Sequence, residues 1–303
     1  MHRGVMATVT LLGARTGPWA SGHPGSGIVV DRNGHVFFTD NGGEGVLWRL
    51  EPGGKLAVVQ KGRLQGLHWL ALDETGRHAQ EVLDKWHIGR VALSGAPWTL
   101  LKTDGYPIAV DPGGTLYFAK GNLEMARLSP DGTVTLLGPS SREVSEKLGG
   151  WITGLAAAAD GSVYVACSSA VLKVTPQGTV TTLVDTTALQ RLNTDTPGTA
   201  RDGEKPSLRG LAADSRGTVY AADTGRRRVV KITPDAKVET VLKTERPWSP
   251  TGVTVHGQYI YVLEYANADE DYAEWLPRVR QLGHDGTITL LASVSKGDRQ
   301  RRR

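Results

Sequence analysis

Short apolar runs separated by turn-forming residues recur along the chain, and the clearest example lies between Leu208 and Leu242. Three apolar runs and a weaker fourth run there are bounded by the turn-forming clusters Ser215–Gly217 and Pro234–Asp235. Short runs between such clusters predict β-strands joined by tight turns. The stretch therefore predicts one four-stranded antiparallel sheet, which cannot bury both of its faces without similar neighbours.

The same pattern recurs at six places along the chain, at intervals of 38 to 56 residues. In most copies an apolar run ends in an aspartate, and a glycine follows three residues later. The anchor residues of the six copies are Asp31, Asp73, Asp111, Ala158, Asp214 and His256. Periods near forty residues with four strands each are typical of β-propellers. We predict an all-β fold, with residues 1–295 forming a single six-bladed propeller of four-stranded antiparallel blades.

Two features of the chain ends affect this prediction. A phrase typical of the fourth strand occurs seven times, although six blades need only six copies. The first copy of this phrase spans residues 7–13, and we predict that this N-terminal strand closes the ring on the last blade.

Among the six copies of the whole repeat, the second is the poorest, because residues 76–83 lack an apolar second strand. Residues 296–303 carry five basic residues and one acidic residue, and we predict that they form a disordered tail.

One copy of the repeat carries a family resemblance. Asp202-Gly203, followed by Leu208–Asp214, Val219–Gly225 and Arg228–Ile232, resembles the NHL repeat. In weaker form the resemblance covers nearly the whole chain, which is thus similar to the NHL-repeat and SMP-30/gluconolactonase-like superfamily of six-bladed propellers. That superfamily includes gluconolactonase/regucalcin-like, paraoxonase-like and strictosidine-synthase-like enzymes, and also pure binding modules. The resemblance implies the fold and leaves both kinds of function open.

Composition excludes several classes of site and partner. The single cysteine, Cys167, excludes an internal disulfide and a cysteine-based zinc site. The net charge of +4 equals that of the tail, so the rest of the chain is neutral by count and lacks a basic surface for nucleic acid. No apolar run has membrane-spanning length. We expect a monomer with a small-molecule substrate and no nucleic-acid or membrane partner. It would be cytoplasmic, or secreted or periplasmic if a leader preceded residue 1.

Three insertions indicate where a site would lie. They cover residues 139–150, 185–206 and 265–277. Each joins strand ends that we expect at one end of the propeller, opposite the tight Asp-x-x-Gly turns, and we name this end the top. Insertions on one face build pocket walls or lids. We therefore predict a site at the top mouth of the central channel.

Two sets of aligned positions are expected around this mouth. The residues five positions before each anchor are Ser26, His68, Tyr106, Thr153, Arg209 and Thr251. The residues at the ends of the second strands are Asp40, Asp84, Lys120, Cys167, Asp223 and Glu264. Together they supply four carboxylates, one imidazole and two cationic groups. Such a set is more typical of an active or metal site than of packed side chains.

These residue types support a first hypothesis, a small-molecule hydrolase or lyase of lactonase or esterase type that uses a divalent metal such as calcium, magnesium or manganese and no organic cofactor. The predicted metal ligands are Asp40, Asp84, Asp223 and Glu264. The predicted catalytic residues are His68, Glu264 and Asp84. The predicted substrate-binding residues are Arg209, Lys120, Tyr106, Trp69, Trp151 and Trp248.

Structural roles remain open for the same residues. Asp40 and Asp223 match aspartates that cap turns, Arg209 and Lys120 can neutralise carboxylates, and the tryptophans can pack between blades.

The regucalcin-like and paraoxonase-like enzymes hold their metal with an early glutamate and later asparagine or aspartate residues. Ser26 and Cys167 stand at two of those positions here. His68 and Glu264 match the two positions that streptogramin lyases use. The second hypothesis is a non-catalytic NHL-type propeller that binds a peptide or protein on its top face.

Overall fold

The fold is taken from a computed structural model of the chain. It describes residues 8–12, 24–42, 45–61, 68–73, 87–92, 98–102, 107–120, 124–137, 146, 150–192, 205–266 and 275–300.

The first half of the described chain contains twelve strands. They are β1 (Thr8–Leu12), β2 (Ile28–Val30), β3 (Val36–Asp40), β4 (Val46–Leu50), β5 (Leu56–Lys61), β6 (Leu70–Asp73), β7 (His87–Ala92), β8 (Trp98–Lys102), β9 (Ile108–Val110), β10 (Leu116–Lys120), β11 (Glu124–Leu128) and β12 (Val134–Leu137). The second half contains β13 (Gly154–Ala157), β14 (Val163–Cys167), β15 (Ala170–Val174), β16 (Val180–Val184), β17 (Leu208–Ala213), β18 (Val219–Asp223), β19 (Arg228–Ile232), β20 (Val238–Lys243), β21 (Trp248–His256), β22 (Tyr259–Ala266), β23 (Pro277–Leu282) and β24 (Ile288–Ser293).

These strands form four-stranded antiparallel sheets, as the repeat predicts. Five sheets each use four consecutive strands: sheet one is β2–β5, sheet three β9–β12, sheet four β13–β16, sheet five β17–β20 and sheet six β21–β24. A further sheet, sheet two, has the strand order β6-β1-β7-β8. The expectation of regular blades is therefore met by five sheets, and sheet two is composite.

The first strands of the sheets line the centre of a propeller. They adjoin in the order β2, β6, β9, β13, β17 and β21, and β21 adjoins β2. Glycine permits this close approach: a Cβ atom on Gly210 would lie 2.7 Å from the Cα atom of Gly252 in the neighbouring first strand. Apolar side chains fill the space between neighbouring sheets. The core is therefore a series of interfaces around the axis, and the first strands deliver their upper ends to one mouth.

The prediction that the N-terminal strand closes the ring on the last blade is wrong. β1 pairs with β6 on one side and with β7 on the other, with Thr8 opposite both Asp73 and Ala92. It thereby occupies the place of the second strand in sheet two. This is the strand that residues 76–83 lack in the sequence, so the spare fourth-strand phrase fills the gap in the weakest repeat.

Short helices accompany the strands. Helix α1 (Thr186–Arg191) begins after Asp185, whose carboxylate accepts the Ala188 N–H at 2.8 Å. Helix α2 (Lys296–Gln300) follows sheet six, and a 3₁₀ turn spans Thr224–Arg226. No helix in the described residues is long and apolar enough to cross a membrane.

The interface between sheets six and one involves the C-terminal segment. The predicted tail begins at Lys296, whereas the structure has helix α2 there. Val294 is buried in one apolar cluster with residues of both sheets. The Tyr265 hydroxyl donates to the Thr39 carbonyl at 2.6 Å across the interface, and burial raises the pKa of Tyr265. Arg299 binds the Asp40 carboxylate. Arg299, in the predicted tail, is thus part of the folded propeller.

Candidate functional site

The residues Pro24, Gly25 and Ser26, hereafter the 24–26 segment, connect three sheets at the mouth. The Pro24 carbonyl accepts a hydrogen bond from Arg209 of sheet five at 3.3 Å. The Gly25 carbonyl accepts the Thr251 hydroxyl of sheet six at 2.6 Å. The Ser26 N–H donates to the His68 carbonyl, beside sheet two, at 2.6 Å. Consecutive Cα atoms are about 3.8 Å apart. The 24–26 segment itself leads into sheet one. Its three buried residues therefore hold the mouth positions of sheets one, two, five and six close together.

Irregularities in the first strands lie at two of these positions. The pairing of β17 with β18 shifts between Leu208 and Leu211, around Arg209. The pairing of β21 with β22 shifts between Pro250 and Gly252, around Thr251. A β-bulge redirects the side chain of the extra residue and often occurs beside functional sites. Here the bulges accompany the bonds from Arg209 and Thr251 to the 24–26 segment.

His68 is held at the mouth by its side chain as well as its backbone. Its Nδ1 atom lies 3.0 Å from Asn41 Nδ2. Its ring meets the Trp69 indole edge to face, with the two centroids 5.3 Å apart. When the Asn41 amide is turned so that its oxygen accepts a proton from Nδ1, the Nε2 atom carries the lone pair of the ring. His68 is partly exposed at this position.

Arg209 is a partly buried cation without a carboxylate partner in the described residues. Its one hydrogen bond there is the long bond to Pro24. Burial lowers the pKa of the Arg209 guanidinium. The mouth therefore holds a positive charge that the described part of the protein does not neutralise.

The carboxylates at the ends of the second strands are arranged differently. Glu264 is fully buried and binds Arg278 at 2.5 Å, together with Arg280. Its Oε1 atom also accepts the Thr244 hydroxyl at 2.6 Å. The Arg278 guanidinium in turn lies over the Trp248 ring, 4.2 Å from its centroid. Both oxygens of Glu264 are thus engaged by donors of the same sheet and of sheet five.

Asp223 and Asp40 are engaged in the same way. Asp223 accepts Arg228 Nε at 2.9 Å and the Ser207 N–H at 3.0 Å. Asp40 accepts Arg299 Nε at 2.8 Å and Trp48 Nε1 at 3.3 Å. All three acids are buried. We name Asp40, Asp223 and Glu264 the carboxylate belt. It lies one strand outward from the mouth, because Leu208 pairs with Asp223 and Pro250 with Glu264.

Cross-strand register explains the belt. Each second-strand end faces a residue at the start of the third strand, and charge is matched at most of these places. The facing pairs are Asp223 with Arg228, Glu264 with Arg278, Lys120 with Glu124, Cys167 with Ala170, and Asp40 with Val46. Only the Asp40 pair lacks a complementary partner. The guanidinium that this position requires comes from Arg299, far along the chain.

The predicted metal set does not fit the described residues. A divalent cation needs free carboxylate or amide oxygens that converge. Asp40, Asp223 and Glu264 lie in three different sheets, and the oxygens of each face a guanidinium group. Among the described residues no three potential His, Cys, Asp or Glu ligands come together. The remaining predicted ligand, Asp84, lies outside the described residues.

The other predicted site residues are separated by the fold. Lys120 is exposed, and Trp151 exposes 69% of its surface at the start of sheet four. Trp248 packs on Arg278, and Trp69 contacts His68. Thr153 adjoins Arg209 because Gly154 approaches the Arg209 carbonyl. Tyr106 lies outside the described residues. The structure thus gathers His68, Trp69, Arg209, Ser26 and Thr251, and it places Lys120 and the belt elsewhere.

Sequence reasoning missed Pro24 and Gly25. Their contribution is two backbone carbonyls, which no residue pattern identifies. The Pro-Gly pair before an apolar strand was the available signal, since it favours an irregular segment whose backbone groups need partners outside a sheet.

Similarity to known proteins was found at the level of structure. No protein-family model and no curated protein sequence matches the chain. The virginiamycin B lyase of Staphylococcus aureus is similar with 15% identity over 94% of this chain and 88% of that chain, at a TM-score of 0.50. The calcium-binding protein regucalcin of Agrobacterium tumefaciens has 16% identity over 79% and 81%, at 0.53. A luciferin-regenerating enzyme has 14% identity over 94% and 96%, at 0.55. At these identities the likeness shows the propeller fold.

Proposed function

We propose that the chain is a small-molecule enzyme of the hydrolase or lyase class, with its site at the top mouth and His68 as the general base. The observation that supports this proposal best is the gathering of His68, Arg209 and Thr251 by the 24–26 segment. An imidazole and a cation without a carboxylate partner in the described residues form a pair suited to proton abstraction or activation of water.

The chemistry follows from the surroundings of His68. Imidazole is the side chain best suited to accept a proton near neutral pH. The hydrogen bond to Asn41 orients the ring, and the edge-to-face contact with Trp69 restricts it further. The three belt carboxylates take no part in this scheme, since arginines occupy them.

The structural neighbours agree with this class at a coarse level. They include a lyase and a luciferin-regenerating enzyme, together with a calcium-binding regucalcin. They support placing the chain in the superfamily of SMP-30 and NHL-like propellers. Because the belt does not offer a metal site, we propose no step that passes through a metal.

The test is a screen of lactones, esters and lyase substrates, with and without chelator. For any substrate that is turned over, His68→Gln should lower kcat by about 10²- to 10⁴-fold, the usual contribution of a general base. The matched control is His284→Gln, which changes an exposed histidine in a turn of sheet six. Full turnover by the His68 variant would remove this residue from the mechanism.

A binding module is the second candidate, and one observation favours it. Trp151 is a large aromatic residue just before sheet four with 69% of its surface exposed. Exposed tryptophans are enriched among the residues that anchor protein partners. If no substrate is turned over and Trp151→Ala abolishes capture of a peptide from a displayed library, the binding module replaces the enzyme as the better proposal.

A further inference from the structure

Arg209 differs from the other arginines near the top of the propeller. Arg228 and Arg278 bind belt carboxylates, and Arg226 donates to the Leu189 carbonyl at 3.0 Å. Arg299 binds both Asp40 and a backbone carbonyl. Arg209 has only the 3.3 Å bond to Pro24 among the described residues. Among the described residues, Arg209 thus lacks the carboxylate partner that Arg228, Arg278 and Arg299 possess.

Physical chemistry makes such an arrangement unfavourable without a ligand. Transfer of a charge into a partly buried site costs free energy unless an opposite charge or several hydrogen bonds compensate it. The lowered pKa of Arg209 is a sign of the same cost. The bulge in β17 and the 24–26 segment keep the side chain in this position. A mouth whose cation has no carboxylate partner in the described residues is suited to receive an anion.

We propose that Arg209 is the anion-binding residue of the mouth and that it takes an oxyanion group, a carboxylate or a phosphate, of a small molecule. The planar guanidinium fork matches two oxygens of such a group, and Arg209 is partly exposed as a residue. This proposal deepens the proposed function, and it rests on that function only in making the anion part of the substrate. Anion binding itself is independent of turnover.

The experiment measures binding without catalysis. Isothermal titration and thermal unfolding of the full chain are carried out with succinate, with inorganic phosphate and with chloride at equal ionic strength. Saturable binding of succinate or phosphate, with a raised unfolding midpoint, is expected for the unchanged protein. Arg209→Met should weaken that binding at least ten-fold and should raise the midpoint in chloride, because it removes an uncompensated buried cation. Arg209→Lys keeps the charge, loses the fork and should fall between the two.

A matched control separates this site from surface charge. Arg216 is exposed and lies in a turn of sheet five, next to Asp214. Arg216→Met removes the same charge from the same sheet and should leave anion binding unchanged. Equal loss in both variants, or unchanged binding after Arg209→Met, would overturn the proposal. A fall of the chloride midpoint after Arg209→Met would also overturn it, since Arg209 would then be a structural residue.

The outcomes distinguish this proposal from the proposed function. Binding through Arg209 without turnover of any hydrolase or lyase substrate supports the anion site and contradicts the enzyme. Turnover that depends on His68, with no saturable anion binding, supports the enzyme and contradicts the anion site. A preference for succinate over phosphate identifies the group as a carboxylate, and the reverse preference identifies a phosphate.

Discussion

The carboxylate belt and the mouth lie one strand apart at the same end of the propeller. They differ in whether their charged groups have partners of opposite charge in the described residues. In the belt, Asp40, Asp223 and Glu264 are buried and each is paired with at least one arginine. At the mouth, Arg209 has no carboxylate partner in the described residues. The belt resembles the interior of a stable protein, where buried charges are compensated. The mouth violates that rule, and such local violations tend to occur at functional sites.

The comparison changes how polar residues on a propeller are interpreted. Buried acidic residues at aligned positions suggest a metal site when only the sequence is considered. Once the facing strand is known, the same residues are explained by cross-strand arginines. The informative residue is then the cation that lacks a partner, and the carboxylates become part of the framework that positions it.

The largest effect is expected where a belt acid is removed. Glu264→Ala leaves Arg278 and Arg280 without their common carboxylate in a buried place. We expect the free energy of unfolding to fall by about 3–5 kcal/mol, while the protein that remains folded keeps its turnover. Urea unfolding followed by fluorescence measures the loss.

The control for this prediction is Glu239→Ala, which breaks the exposed pair with Lys231. Such pairs contribute at most about 1 kcal/mol. If both variants lose the same small amount, Glu264 does not have the structural role assigned to it. If Glu264→Ala stays stable but loses turnover, the belt and the mouth are not separate in function.

An intermediate effect is expected at the C-terminal helix. Arg299→Ala removes the partner of Asp40, and the free energy of unfolding should fall by about 3 kcal/mol, near the lower limit for a broken buried pair, because the arginine is 16% exposed. Asp40→Asn in the same background should restore part of the loss, since it removes the uncompensated charge. A double-mutant cycle with no coupling between the two positions would contradict the pairing.

The smallest effect compares two buried threonines with hydroxyl bonds of 2.6 Å. Thr244 donates to Glu264 in the belt, and Thr251 donates to Gly25 at the mouth. Valine at either position should cost about 1 kcal/mol of stability. Only Thr251→Val should also lower kcat/KM several-fold, because it releases the 24–26 segment. Equal turnover in the two variants would show that this segment does not position the site.

Much of the fold was predictable because the repeat carries local signals. The Asp-x-x-Gly turns are formed as expected; in sheet five the Gly217 N–H donates to the Asp214 carbonyl at 3.0 Å, with φ of +80° at Gly217. The strand that β1 provides to sheet two was not predictable in the same way. The spare phrase and the defective repeat were both visible in the sequence, but strand pairing between distant segments leaves no local pattern.

The site was predictable only in part, for a related reason. Counting five residues back from each anchor identified His68, Arg209 and Thr251, which the structure brings together. The carboxylates were also placed at the correct strand ends, but the partners considered for them, Arg209 and Lys120, differ from the arginines that bind them. Arg228 and Arg278 were accessible from the register of the third strands. Arg299 was not, because a basic chain end looks like a solvated tail until its distant partner is known.

The position of β1 has a consequence for the order in which the molecule assembles. Sheet two cannot be completed when β1 is made, since the strands on both sides of it come from residues 70–73 and 87–92. In the sequence, sheet one lies between β1 and the strands that pair with it, β6 and β7. Pairing β1 with them therefore closes a long loop, and closing a long loop slows folding. The composite sheet is therefore where we expect refolding to be slowest, and where a newly synthesised chain would depend most on chaperones.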